Sequence, residues 1–533
     1  MTSPFTTRLR ATAVDPHNRR WHYLPYDQQG HHLLDATDRV GVVLVELPAK
    51  AAQRPYHQQK LALVLANQRQ FALELQARGI AVDYVVSSAP TYADALAAPL
   101  QRHGPLAVMT PAERALRMDL LPRLQAGALI EHPHRGWLTE PAWFAELGGA
   151  PWRMDAFYRC VRRHTGVLME PNGKPRGGRF SFDGENRLPW PGTPPAPTPP
   201  TFTPDAVTQE VVDRVRTHFA HHPGRVTPEA LPTTRADAET LWAWARTHCL
   251  PLFGPYEDAL SRHSRGLFHT HISSLLNLQR LSAHRVMQDT LALPLPLPSQ
   301  EGFIRQILGW REFVRHVHWA TDGFRTVLPS GPHTDGGFGA WRGAPWPALP
   351  GDAAGAPGAP VPPAFWGTPS GLACLDDTVQ AVWEDGYSHH ISRLMVLSNI
   401  ATLLGISPRA LTDWFWVAYT DAYDWVVEPN VLGMGTFAVG ELMTTKPYIA
   451  GAAYLDRMGD HCAGCAFDPR GTCPLTPMYW AYLHRHADAL AHNHRMKLPL
   501  ASARKRSAEQ KANDLDMFER VRSALARGER LTP

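Results

Sequence analysis

The stretch HCAGCAFDPRGTCP, residues 461–474, holds three of the six cysteines in a chain of 533 residues. Two residues separate Cys462 from Cys465, and Cys473 follows eight positions after Cys465. Three thiolates are one short of the four ligands that structural zinc and four-iron clusters both take. Zinc could complete its set with His461, but structural zinc sites usually bring short-spaced ligands in pairs, and no second such pair is present. Four-iron clusters more often join a compact cysteine run to one distant thiolate, and a proline commonly follows one of their cysteines, as Pro474 follows Cys473. Among the other thiols, Cys249 sits in an apolar helical pattern, where a buried cysteine is ordinary. Cys160 lies on the approach to a proline-rich segment. Cys374 opens CLDDTVQAVWEDGYSHH and is the best candidate for the missing ligand. Spacing favours iron–sulfur over zinc.

Two further groups of residues could do chemistry. Residues 485–511 carry seven Lys or Arg and four nearby histidines, a face that could track phosphates or simply be solvated. The 17 tryptophans suit a large ring-shaped ligand or electron transfer between rings, and also plain core packing. The formal net charge of +4 is too small to establish a polyanionic partner.

The elements that must position these groups fall into two kinds. RVGVVLVEL (39–47) is an apolar, β-branched run suited to a buried parallel strand. It precedes YHQQKLALVLANQRQFALELQARGI, apolar at helical spacing, and then the strand-like AVDYVVSS (81–88). Strand, helix, strand favours a Rossmann-like parallel sheet flanked by helices, although Gly-x-Gly-x-x-Gly is absent. Residues 189–204 contain eight prolines in 16 residues and read as a polyproline connector. A second Pro/Gly/Ala-rich stretch (343–363) reads as a surface loop. Most of the remaining patterns are helical. The expected division is an α/β domain over 1–188, a linker over 189–235 and an all-α domain over 236–533. No signal peptide or membrane-length apolar run is visible, so the default compartment is the cytoplasm and the expected state a monomer.

Several stretches together resemble one family, the iron–sulfur bacterial cryptochromes and photolyases, which include bacterial (6-4) photolyases. They are FYRCVRRHTGVLM (157–169), GGRFSFDGENR (177–187), FGPYEDAL (253–260), EGFIRQILGWREFVR (301–315), GYSHHISRLMVLSN (386–399), TDAYDWVVEPNVLGMG (420–435) and TKPYIAGAAYLDRM (445–458). They occur in the family's order, and the 88 residues from Cys374 to Cys462 resemble its ligand spacing, implying a [4Fe-4S] cluster on Cys374, Cys462, Cys465 and Cys473.

The resemblance implies FAD in the helical domain. Thr270, Ser273 and Ser274 would meet its pyrophosphate, Gln306 and Arg311 would contact the cofactor, and Arg393 and Asp421 would pair beside the ring system. Register places Val427 at flavin N5, with Glu428 next; relatives commonly have Asn or Glu there, and an apolar side chain offers N5 no hydrogen bond. Trp414 and Trp366 match the family's electron path; Phe415 sits where a redox-active aromatic would be wanted but is a poor hopping site, so direct transfer between the two tryptophans is expected. His390 matches the essential histidine for (6-4) repair of UV-damaged DNA, with His389 beside it and Glu301, Trp310, Tyr448 and Tyr454 around the lesion pocket. Asp27, Gln28 and Glu46 match the neighbourhood of a 6,7-dimethyl-8-ribityllumazine antenna. Two other classes remain open: a blue-light receptor of the same family without repair activity, and an iron–sulfur nucleic-acid-binding protein such as a primase subunit. The last leaves the N-terminal strand–helix–strand pattern unexplained.

Overall fold

The computed structural model describes residues 3–34, 39–327 and 359–533. Of the second proline-rich stretch, residues 343–358 lie outside that range. Five parallel strands, β1 (Arg20–Tyr23), β2 (Val40–Glu46), β3 (Ala81–Val86), β4 (Leu106–Met109) and β5 (Leu129–His132), pair in the order β3-β2-β1-β4-β5. Every residue of β2 is buried, as its unbroken Val/Leu run requires of a strand covered on both faces. Pairing runs from Gly41 opposite Ala81 to Glu46 opposite Val86, which fixes the register of the sheet's longest ladder. The helix Gln58–Ala77 makes the crossover between β2 and β3, and the His57 ring caps its first turn by accepting from the Gln59 N–H.

The segment 189–235 divides in two. Its proline-rich first part has no regular structure, because proline offers no N–H to a ladder. Its second part contains the helix Ala206–His218, which packs against Gln58–Ala77 through Val207, Val211, Val212 and Val215. Arg69 to Glu210 (2.6 Å) and Gln70 to Asp205 (2.7 Å) tie the two helices together. This helix therefore covers the sheet domain instead of spanning between domains.

Among the described residues the helical half carries four wider π-helical turns, at Ala245–Cys249, Arg305–Arg311, Ser392–Ser398 and Glu428–Gly435. Such turns are frequent at functional sites because the extra residue re-aims side chains. The last three contribute walls to one cavity. The two halves meet through buried polar contacts. Arg54 reaches Asp413 at 3.0 Å and lies over the Trp416 ring, while Lys60 donates to the carbonyls of Trp416 (3.1 Å) and Ala422 (2.5 Å). No helix among the described residues is long and apolar enough to cross a membrane.

Candidate active site

The cavity has a volume of about 310 Å³, at the lower end for small-molecule sites. One wall begins at the C-terminus of the helix Ala373–Asp385, whose cap, Gly386, is left-handed (φ 63°). A Cβ there would lie 2.9 Å from the Thr420 methyl, so a side chain is excluded on both counts. The turn delivers Tyr387, Ser388, His389 and His390 to the cavity.

Arg393 binds Asp421 through two hydrogen bonds of 2.9 and 3.0 Å, and its guanidinium lies 4.1 Å from the Tyr419 ring centroid. Burial opposes both charges. Asp421 nevertheless raises Arg393, and Arg393 with the Ser273 hydroxyl lowers Asp421, so both stay ionised. The Ser273 hydroxyl donates to Asp421 at 2.6 Å and the Asn277 amide to its backbone carbonyl at 2.9 Å, drawing a third segment into the wall.

Of the expected cofactor residues, Thr270, Ser273, Gln306, Arg311, Arg393, Asp421 and Val427 line the cavity; Ser274 is buried beside them without lining it. Val427 faces in, whereas Glu428 accepts from His318 at 2.8 Å and is not among the lining residues. Arg311 stacks over Trp137 (4.3 Å), and burial lowers it to about 10. Its Nε, His269 Nε2 and His389 Nδ1 are buried donors or acceptors without a protein partner, which suits a polar ligand. His269, His271, Tyr387 and Asn430 also line the space, and no periodicity in the sequence marks them.

The cavity opens into a larger groove of about 1440 Å³, sharing Gln306, Trp310, His390, Leu394, Asn430 and Met434 with it. Arg159, Arg163, Arg179, Arg187, Lys446 and Arg495 line this groove together with Tyr448 and Tyr454. Of the basic stretch 485–511, only Arg495 reaches it; Arg506 instead binds Asp514 (2.7 Å) and Arg485 covers Phe518. His390 is exposed at the junction, 3.6 Å from Asp258. His389 is buried behind it, its ring stacked on His269 at 4.5 Å. Glu301 lines neither space. It accepts from the Phe182 N–H (2.9 Å) and lies 3.3 Å from Arg305, which does line the groove.

An aromatic ladder leaves the cavity on the other side. Phe415, a lining residue, touches Trp414 (5.1 Å), which meets Trp383 (5.8 Å), which stacks on Trp366 (5.4 Å). Trp414 is fully buried and Trp366 exposed, so the ladder ends at the surface. Trp383 is the rung that the expected direct step from Trp414 to Trp366 lacked. It sits on the cysteine-bearing helix, and only packing reveals it.

A curated relative described as a (6-4) photolyase, from Agrobacterium fabrum, is 32% identical over 491 residues, covering 88% of this chain and 92% of the relative. The chain belongs to the photolyase–cryptochrome family. The profile described as deoxyribodipyrimidine photo-lyase-related protein matches residues 27–231. In fold the chain is similar to a bacterial class III photolyase from Agrobacterium tumefaciens (TM-score 0.53, 14% identity, 96% of this chain and 99% of that one). A Synechocystis cryptochrome gives TM-score 0.51 at 13% identity, again over 96% and 99% of the two chains. The family fold of an α/β domain followed by a helical domain is the one found here.

This family member brings its four expected cysteines together from three segments. Cys374 begins the helix Ala373–Asp385, Cys462 and Cys465 flank the turn His461–Gly464, and Cys473 precedes the helix Leu475–Arg485. All four are free thiols, and burial together with Cys473, Cys462 and Cys465 pushes Cys374 well up, a sign of mutual proximity. Yet no three of them lie within 4.8 Å of one another. A single tetrahedral zinc at 2.3 Å from each sulfur would hold them about 3.8 Å apart.

The antenna candidates lie at the sheet's edge toward the helical half, where a small cavity of about 70 Å³ is lined by Tyr26, Lys50, Lys60 and Tyr423. Asp27, Gln28 and Glu46 do not line it. Both Asp27 carboxylate oxygens and the Gln28 side-chain carbonyl are buried without a partner, and burial raises Asp27 to about 7. Glu46 is committed elsewhere: Arg69 grips it at 3.0 and 3.2 Å and the Tyr84 hydroxyl donates to it at 2.9 Å.

Replacing Asp421 by Ala strands the Arg393 charge in the cavity wall. The expected cost is about 3–5 kcal/mol of folding stability, read by chemical denaturation, with Asp421→Asn less damaging because one acceptor remains.

Proposed function

We propose that this chain repairs (6-4) pyrimidine–pyrimidone photoproducts in UV-damaged DNA, driven by light, with FAD in the helical cavity. The observation that carries the reading is the position of His390, exposed where the cavity meets a cationic groove. The name of the 32% identical relative supports the same chemistry. Bound FAD supplies a light-absorbing one-electron donor.

The chain's own residues do the rest. Groove cations hold the phosphates on either side of a lesion, whose weakened pairing lowers the cost of flipping it out. Trp310, Tyr448 and Tyr454 provide apolar walls for the extruded bases. Asp258 orients the His390 ring, which gives a proton to the lesion and takes it back, a role that suits imidazole near neutral pH. His389, locked between His269 and Ser392, positions its neighbour. Glu301 acts through Arg305. The Arg393–Asp421 pair sets a fixed dipole beside the cofactor, the segment around Thr270 and Ser273 offers polar groups to its phosphates, and Val427 presents an apolar face.

The four cysteines fit a [4Fe-4S] cluster better than zinc, since no three of their sulfurs lie as close together as one ion would hold them. Such a cluster would clasp the start of the helix Ala373–Asp385 to the C-terminal helices, in a structural role. A lumazine antenna does not fit the side chains as they stand. The nearby cavity is far below the 300–1,000 Å³ of small-molecule sites, and Glu46 is already paired. Only the partnerless Asp27 and Gln28 atoms speak for a ligand in that domain. The second reading, a photoreceptor without repair activity, draws on Val427 in place of a hydrogen-bonding residue.

The deciding experiment illuminates reduced protein with an oligonucleotide carrying one (6-4) lesion. Restored thymines support repair; none, from protein with intact flavin, shifts the assignment to the receptor. His390→Ala should abolish repair and leave flavin bound. Trp383→Phe should slow photoreduction at least tenfold without changing flavin content, measured by transient absorption. Iron analysis of Cys374→Ala should show the cluster lost, and full iron retention would remove Cys374 from the ligand set.

A further inference from the structure

Away from the cavity, groove and cysteine clasp, one more group of metal-ligating side chains converges. The sulfur of Cys160, the Nε2 of His164 and a carboxylate oxygen of Glu146 all lie within 4.8 Å of one another, and among the described residues no other such trio occurs. Cys160 and His164 sit one turn apart on the helix Met154–Thr165, the spacing that turns two side chains to one face and serves paired ligands on helices. Glu146 closes the preceding helix, Pro141–Ala145, as its C-cap. The Cys160 sulfur is 3.3 Å from one Glu146 oxygen and His164 Nε2 is 2.7 Å from the other. The His164 ring lies parallel to Trp143 (4.9 Å between centroids, 2° between planes), which fixes its orientation toward the carboxylate.

We propose that Cys160, His164 and Glu146 bind a divalent ion of the zinc class. A thiolate, an imidazole and a carboxylate form the mixed S/N/O set that zinc accepts, with three protein ligands and a fourth position left for water. The two anionic ligands neutralise the dication. Binding breaks the Cys160 S–H bond, forms a sulfur–metal bond and releases the proton to solvent. The flank of the same helix turned away from this trio carries Arg159 and Arg163 into the groove. An ion at this place ties that helix to the Pro141–Glu146 segment and stiffens one wall of the groove. It is separate from the cysteine clasp and shares none of its ligands.

The test uses full-length protein, freed of adventitious metal by a mild chelator and titrated with zinc chloride by calorimetry, with melting temperature followed in parallel. The expected result is one saturable zinc per chain, with about one proton released per ion and a rise in melting temperature as the folded state is selectively bound. Cys160→Ser and His164→Gln should each weaken binding by more than the roughly 100-fold that loss of an outer-shell partner costs, and abolish the rise. No saturable uptake by the wild-type chain, or unchanged uptake by both variants, overturns the proposal. Should a variant fail to fold, cobalt(II) loaded into the wild-type chain provides the independent reading. A sulfur-to-metal charge-transfer band that disappears in Glu146→Gln supports the site, and a band unchanged in that variant overturns it.

Discussion

Arg393 and Asp421 keep each other charged in a place that favours neither charge alone. A buried ion pair tolerates little displacement, because separation leaves each partner desolvated and unpaired. Three pieces of the cavity wall are thereby held in register. Arg393 brings the π-helical turn 392–398, Asp421 brings the loop before the helix Asp424–Val427, and Ser273 with Asn277 brings the start of a third segment. The positions of His389, His390 and Val427 follow from how these pieces sit around the pair.

The helix Ala373–Asp385 connects the cavity to its supports. Its first turn carries Cys374, its last turn carries Trp383, and its left-handed glycine cap launches the two histidines. A constraint on the cysteine end is thus transmitted, through one rigid element, to the mouth of the cavity and to the middle rung of the aromatic ladder. The three π-helical turns that wall the cavity complete the arrangement. Each adds a residue to a helix and rotates the following side chains, so Gln306 and Arg311 on one element and Asn430 and Val431 on another face the same space.

The groove is built differently. Its cations come from the helix Met154–Thr165 and the loop around Arg179 and Arg187 that follows it, and from the distant Lys446 and Arg495. Of the basic C-terminal stretch, prominent in the sequence, Arg495 alone lines the groove, while Arg506 is held by Asp514 and Arg485 lies over Phe518. Local charge density is therefore a poor guide to the lining of the groove, because which cations reach it depends on how distant segments pack.

What the sequence by itself determined are features governed by near-neighbour spacing. The run in β2 had to be a doubly covered strand, and the apolar repeat over Gln58–Ala77 had to be a helix. Most of the cavity's lining was also legible, through stretches whose order resembles one family. Tertiary structure alone decided the rest. It placed Trp383 between Trp414 and Trp366, folded Ala206–His218 back onto the sheet domain, committed Glu46 to Arg69, buried Glu301 beneath the groove and brought Glu146 to Cys160 and His164. Periods of two and 3.6 residues are written along the chain. Contacts between residues tens to hundreds of positions apart depend on how whole elements pack, and no local period records them.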